Sequence, residues 1–217
     1  MKKVKIFGDS VLQGVYYDGR YHKTKDKINP ENIELDNYSR MGNTIVDGID
    51  NIKRHLDECD KDTYAILEYG GNDCNYNWKD ISDDPDKKHY CAVEPKEYQS
   101  KLLSAINMIK ETGAKVIIAS PIPISAEKFM NFISKNLSYD NILKWLGTIQ
   151  TLYNWQEYYA KLTEKIAIAS NSIIMPMRDI FLQKNYEDLL CIDGIHPTIE
   201  GHEKIHRYIE GYLEHVV

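Results

Sequence analysis

The sequence predicts an α/β fold, a parallel sheet covered by helices on both faces. Three observations predict it. Short apolar runs recur along the 217 residues, separated by segments long enough to hold a helix. Those intervening segments carry apolar residues at helical spacing rather than in strict alternation. Two of the runs, KVKIF and TYAILEY, stop at a glycine followed by small polar residues, as strands do where they turn into a helix. Strands that alternate with helices in this way build βαβ units, whose crossovers bury both faces of a parallel sheet.

The elements follow in order. KVKIF (3–7) is expected to be a first buried strand and ENIELDNYS (31–39) a second, with Ile33 and Leu35 alternating. From Thr44 to Leu56, apolar Ile45, Ile49, Ile52 and Leu56 recur once per helical turn. TYAILEYG (63–70) is expected to be a third strand. Pro95 opens a helix whose inward face is Tyr98, Leu102, Ile106 and Ile109, and Gly113 stands where that helix needs a left-handed C-terminal residue. KVIIASP (115–121) is the fourth strand, followed by a long, mainly helical stretch with Leu152, Trp155, Leu162 and Ile166 as a stripe. SIIMP (172–176) is a short fifth strand, and the last helix runs from Thr198 to the end. With no repeat, low-complexity tract or linker, residues 1–217 are expected to form a single domain.

Composition narrows the partners. The chain is 28% charged and 42% hydrophobic, ordinary for a globular protein. A net charge of −6 gives no electrostatic reason to expect nucleic acid or an anionic membrane as partner. The opening MKKVKIF is cut by Lys5 and ends at Gly8, too short for the ~7–15 apolar residues of a signal-peptide core. No stretch approaches the ~20 apolar residues of a membrane span. A cytoplasmic protein is therefore expected. Cys59, Cys74, Cys91 and Cys191 include no C-x-x-C pair and are expected to be reduced and structural.

The chemistry lies at the ends of the apolar runs. In an open parallel sheet, ligands bind beyond the carboxyl ends of the strands. Ser10, in GDS (8–10), and Asn72, in GGND (70–73), both follow expected strand ends, and DGIHP (193–197) can return to the same edge. A serine hydroxyl needs a base to become a nucleophile. His196 can be that base, with Asp193 three residues earlier accepting from Nδ1 and leaving Nε2 for Ser10. A tetrahedral intermediate also needs hydrogen-bond donors for its oxyanion. Candidates are the backbone N–H groups of Ser10 and Gly42 and the side-chain amide of Asn72.

Gly8-Asp9-Ser10, Gly42, Gly70-Gly71-Asn72-Asp73 and Asp193-Gly194-Ile195-His196-Pro197 resemble, in order and separation, the four blocks of the SGNH (GDSL-type) hydrolases. Val11 stands where that family's name-giving motif has leucine, a mild departure. The resemblance spans residues 4 to about 205. It implies a flavodoxin-like, three-layer αβα sandwich around a five-stranded parallel sheet. It also implies a Ser10, Asp193, His196 triad, an oxyanion hole from Ser10, Gly42 and Asn72, and hydrolysis of acyl esters through an acyl-enzyme. With no G-x-G-x-x-G or Walker sequence and no D-x-H to open a metal site, no cofactor or metal is expected. Asp9 then serves the turn that presents Ser10.

The pattern HEKIH (202–206) matches a zinc-protease motif. A third protein ligand is needed, and the extended pattern would want glycine and histidine where Ile209 and Tyr212 stand. The spacing of Ile205, Ile209, Tyr212 and Val216 marks this stretch as the buried face of a helix, not a metal site. The polar segment 74–90, with Tyr76, Trp78, His89 and Tyr90, is expected to overhang the site, its aromatics suiting the flat faces of sugars. The expected substrate is a small-molecule ester: a short acyl group, acetyl above all, on a carbohydrate or other small polar alcohol. A lysophospholipase or thioesterase is the alternative within the same chemistry, and an inactive saccharide-binding protein the alternative outside it.

Overall fold

The computed structural model describes residues 2–25 and 27–217. Five strands form one parallel sheet: β1 (Lys2–Gly8), β4 (Ile33–Asn37), β5 (Thr63–Glu68), β6 (Lys115–Ala119) and β7 (Ile173–Met175), in the spatial order β4-β1-β5-β6-β7. β2 (Val15–Tyr17) and β3 (Tyr21–Lys23) make a separate antiparallel hairpin. The helices are α1 (Ile45–Lys53), α2 (Trp78–Asp83), α3 (Pro95–Glu111), α4 (Ala126–Ile133), α5 (Tyr139–Leu146), α6 (Gln150–Ala169) and α7 (Ile199–Val216).

The central strands are apolar throughout because both their faces are covered. Phe7, Ala65, Leu67, Val116 and Ile118 point to one face and pack against α1, α3 and α6. Their neighbours Val4, Ile6, Ile66 and Ile117 point to the other, where Ile205, Ile209 and Leu213 of α7 meet them. This is the expected three-layer sandwich. The helix ends are set locally. Thr44 and Asp47 form a reciprocal capping box on α1, Pro95 occupies the first turn of α3, and the Thr198 side chain caps α7.

A third apolar cluster lies apart from these two. Ile81 of α2, Ile124, Phe129 and Met130 of the α4 region, Ile142 and Leu146 of α5 and Leu152 of α6 build it. The long, mainly helical stretch expected after residue 121 comprises three helices, broken at Ser138, which caps α5, and at Gly147, whose φ of +76° ends it. The 74–90 segment is also more ordered than its polarity suggests. It holds α2 and is closed by a bridge between Tyr76 and Cys91.

Candidate active site

Ser10, Asp193 and His196 arrive from opposite ends of the chain at the carboxyl edge of the sheet. Ser10 begins the turn after β1, and Asp9 organises that turn by accepting from the Val11 N–H at 2.8 Å. The loop before α7 presents the other two. Asp193 Oδ1 accepts from the backbone N–H groups of Ile195 and His196, at 3.2 and 3.1 Å. Its Oδ2 lies 2.6 Å from His196 Nδ1, and His196 Nε2 lies 2.9 Å from Ser10 Oγ. All three residues are buried, with Asp193 fully so. A carboxylate on Nδ1 selects the tautomer whose Nε2 is free to accept from the serine.

Gly194 makes this loop tight. Its φ is +76°, and a Cβ there would stand 2.5 Å from the Phe129 nitrogen and 2.7 Å from the Ser125 carbonyl oxygen. Only glycine lets the loop lie directly on the start of α4.

The oxyanion candidates surround Ser10. Among the described residues, neither the Ser10 nor the Gly42 N–H donates to a protein acceptor, so both are free for a ligand oxygen. Gly42 takes φ +79°, with open space around its Cα. Asn72 is differently placed from a free donor. Its Nδ2 donates to Asp9 Oδ2 at 2.9 Å and to the Asn43 carbonyl at 3.1 Å, which engages both amide hydrogens.

Behind the Ser10 turn stand three buried carboxyl groups, Asp9, Glu68 and Asp73. Burial pushes Asp73 up to about 7 although the Ile45 and Gly70 N–H groups donate to it. Burial likewise raises Asp9, and raises Glu68 strongly, with the neighbouring Asp9 charge acting in the same direction on Glu68.

A cavity of about 160 Å³ opens beside Ser10 and His196. Its walls are largely aromatic and aliphatic: Tyr76 and Trp78 from the 74–90 segment, Phe129, Trp145, Leu152 and Trp155 from the α4–α6 helices. Asn72, Glu68 and Gln156 supply polar surface. Tyr76 and Trp78 therefore line the cavity, whereas Tyr90 stays outside it, largely exposed and under the Lys88 ammonium. His89 packs edge-on against the Trp145 ring.

Sequence reasoning missed Tyr21. Its ring meets His196 at 5.4 Å and 66°, and the residue is 46% exposed. The β2–β3 hairpin carries it there, tied down by Tyr17 N–H to Cys191 Sγ and by His202 Nε2–H to the Val15 carbonyl. Asp18-Gly19 between tyrosines is a hairpin signal that could have disclosed it. His202 of the HEKIH pattern thus lies on the buried face of α7, with its Nε2 used by the hairpin. Among the described residues, no three His, Cys, Asp or Glu side chains are grouped to hold a metal ion.

The family model described as GDSL-like lipase/acylhydrolase matches residues 6–204. The chain belongs to that family. No curated protein matches it in sequence. Among solved structures, a lipase/acylhydrolase from Enterococcus faecalis is similar at 16% identity, covering 99% of this chain and 96% of the other, with a TM-score of 0.62. TesA matches at 15% identity over all of both chains, TM-score 0.62. A mutant of the acetylxylan esterase Axe2 from Geobacillus stearothermophilus matches at 18% identity, over 96% and 92% of the two chains, TM-score 0.61. At such identities the likeness is one of fold. The GDSL acylhydrolase is thus an α/β enzyme of the esterase class, and none of its described helices is long and apolar enough to cross a membrane.

Proposed function

We propose that this GDSL acylhydrolase removes a short acyl group, acetyl above all, from a carbohydrate or another small polar alcohol. The observation that carries the chemistry is the line Asp193 Oδ2–His196 Nδ1, 2.6 Å, and His196 Nε2–Ser10 Oγ, 2.9 Å. Ser10 Oγ attacks the ester carbonyl while its proton passes to His196 Nε2, and Asp193 stabilises the imidazolium that forms. The oxyanion of the tetrahedral intermediate takes the free N–H groups of Ser10 and Gly42. Asn72 joins them by exchanging its 3.1 Å bond to the Asn43 carbonyl for the ligand oxygen. Collapse breaks the ester C–O bond, and the alcohol leaves with the proton from His196. Water then attacks the acyl-Ser10 ester as His196 takes its proton; the bond to Ser10 Oγ breaks, Ser10 recovers the proton from His196, and the carboxylic acid departs.

Support for the alcohol comes from the flat faces of Tyr76, Trp78, Trp145 and Trp155 around the cavity, and from Tyr21 exposed beside the general acid. The similar fold of an acetylxylan esterase agrees with it. A second reading rests on Ile122, Leu146 and Leu152 in the same walls: an acyl chain of several carbons would bury well there, as in a lysophospholipase or thioesterase. Four free, buried cysteines fit a reducing compartment.

Hydrolysis of p-nitrophenyl acetate, butyrate and octanoate by the wild type and Ser10→Ala, with and without EDTA, tests both readings. The expected result is a preference for acetate, indifference to EDTA, and a loss of about 10⁴-fold or more in Ser10→Ala. A preference for octanoate would replace the short-acyl reading by the second one. Activity unchanged in Ser10→Ala would remove the serine mechanism altogether.

A further inference from the structure

Two buried carboxyl groups face one another directly behind the nucleophile, and the mechanism above uses neither as acid or base. In the sheet register Gly8 pairs with Glu68, so the residue that follows Gly8, Asp9, comes to the end of β5. Asp9 is 3% exposed and Glu68 1% exposed, and their carboxyl groups lie within hydrogen-bonding reach. Two carboxylates in contact in a dry site do not both ionise; they share one proton.

Their surroundings decide which of the two holds it. Asp9 receives the Val11 N–H on Oδ1 at 2.8 Å and the Asn72 amide on Oδ2 at 2.9 Å. Donors of this kind favour the ionised form. Glu68 Oε2 is buried with no hydrogen-bond partner. The Asp9 backbone N–H favours an ionised Glu68, but burial and the nearby charges of Asp9 and Asp73 act against it. A neutral acid with an anionic acceptor in reach satisfies this geometry, whereas a second anion would be left without compensation.

We propose that Glu68 is a positioning residue of the esterase site: its carboxyl keeps its proton, donates it in a hydrogen bond to Asp9, and so fixes Asn72 and the Ser10 turn. Asp9 is the hub. It holds one Asn72 amide hydrogen and the Val11 N–H at once, so locking its carboxylate locks both oxyanion-side elements. With the shorter bond held by Asp9, the longer one to Asn43 is the one free to exchange toward an oxyanion. The shared proton also limits the pair to one negative charge beside a transition state that is itself developing negative charge, where a second would oppose it. This inference rests on the esterase reading for its kinetic consequence but not for the protonation itself.

The test pairs Glu68→Gln, which keeps a donor of similar shape, with Glu68→Met, which keeps volume and loses the donor. Infrared difference spectra of wild type minus Glu68→Gln, without substrate at about pH 8, where carboxyl groups of ordinary pKa are ionised, are expected to show the C=O stretch of a protonated carboxylic acid. On p-nitrophenyl acetate, Glu68→Met is expected to lower kcat by about 10- to 100-fold with KM little changed, and Glu68→Gln to restore most of that loss. A carboxylate signature in place of the acid band overturns the proposal, even if no ester in the panel is turned over. Equal kcat losses in both variants also overturn it, since packing alone would then account for Glu68. If Glu68→Met fails to fold, the spectrum of Glu68→Gln still decides.

Discussion

His202 shows how one side chain can look like a ligand in sequence and act as a strut in the fold. Its Nε2–H donates to the Val15 carbonyl at 2.8 Å, and its Nδ1 is buried with no hydrogen-bond partner. A second proton would have to sit on Nδ1 in a dry site near two other histidines. Burial, and secondarily the charges of His206 and His196, therefore hold it down at about 4, from an ordinary 6.5. The folded state resists protonation that the unfolded chain accepts. Stability from this residue is thus complete above 6.5 and is lost as pH falls toward 4. The loss amounts to about 3 kcal/mol. Urea unfolding at a series of pH values is expected to show that decline in the wild type and a flatter profile in His202→Gln. Parallel profiles would mean that His202 titrates alike in both states.

The loop before α7 depends on Gly194 in two separable ways. Its backbone is left-handed, and it lies against the start of α4 with no room for a methyl group. Gly147, at the end of α5, has the same φ of +76° with nothing within 4 Å. Both alanine variants therefore carry a backbone cost for a positive φ, and only Gly194→Ala adds a steric clash. Gly194→Ala is expected to lower both Tm and kcat, because relief of the clash moves Asp193 and His196. Gly147→Ala is expected to lower Tm alone. Similar kcat values in the two would show that the α4 contact does not hold the loop that carries Asp193 and His196. The hairpin and the α4–α6 helices act at this level too: each brings aromatic rings to the site from outside the parallel sheet.

The described residues build two cores on opposite faces of one sheet and a third beside the cavity, and α6 joins the third to one of the two. That helix is continuous over 20 residues, contributing Leu152 to the cavity-side cluster and Tyr159, Leu162 and Ile166 to a sheet face. A shared rigid element couples the two clusters, so they are expected to unfold together. Trp78, Trp145 and Trp155 all report on the cavity side. Tryptophan fluorescence and far-UV circular dichroism are expected to trace one coincident urea transition. A fluorescence change well ahead of the dichroism would make the α4–α5 region a separately melting unit.

The strands, the flanking helices and the four sequence blocks were legible without coordinates, because each leaves a local trace: a period of apolar residues, a capping threonine, a glycine after a strand. Ser10, Asn72 and His196 could be placed at one edge for the same reason, each following an element whose direction the parallel order dictates. The cavity was not legible, since its walls come from helices whose breaks at Ser138 and Gly147 look minor in sequence. Nor were Tyr21 over His196, the engagement of both Asn72 hydrogens, or Glu68 against Asp9. Asn72 and Asp9 are 63 positions apart, and Ser10 and His196 are 186 apart. Such contacts depend on register and close packing between distant segments, and a one-dimensional pattern carries no record of which buried carboxyl faces which.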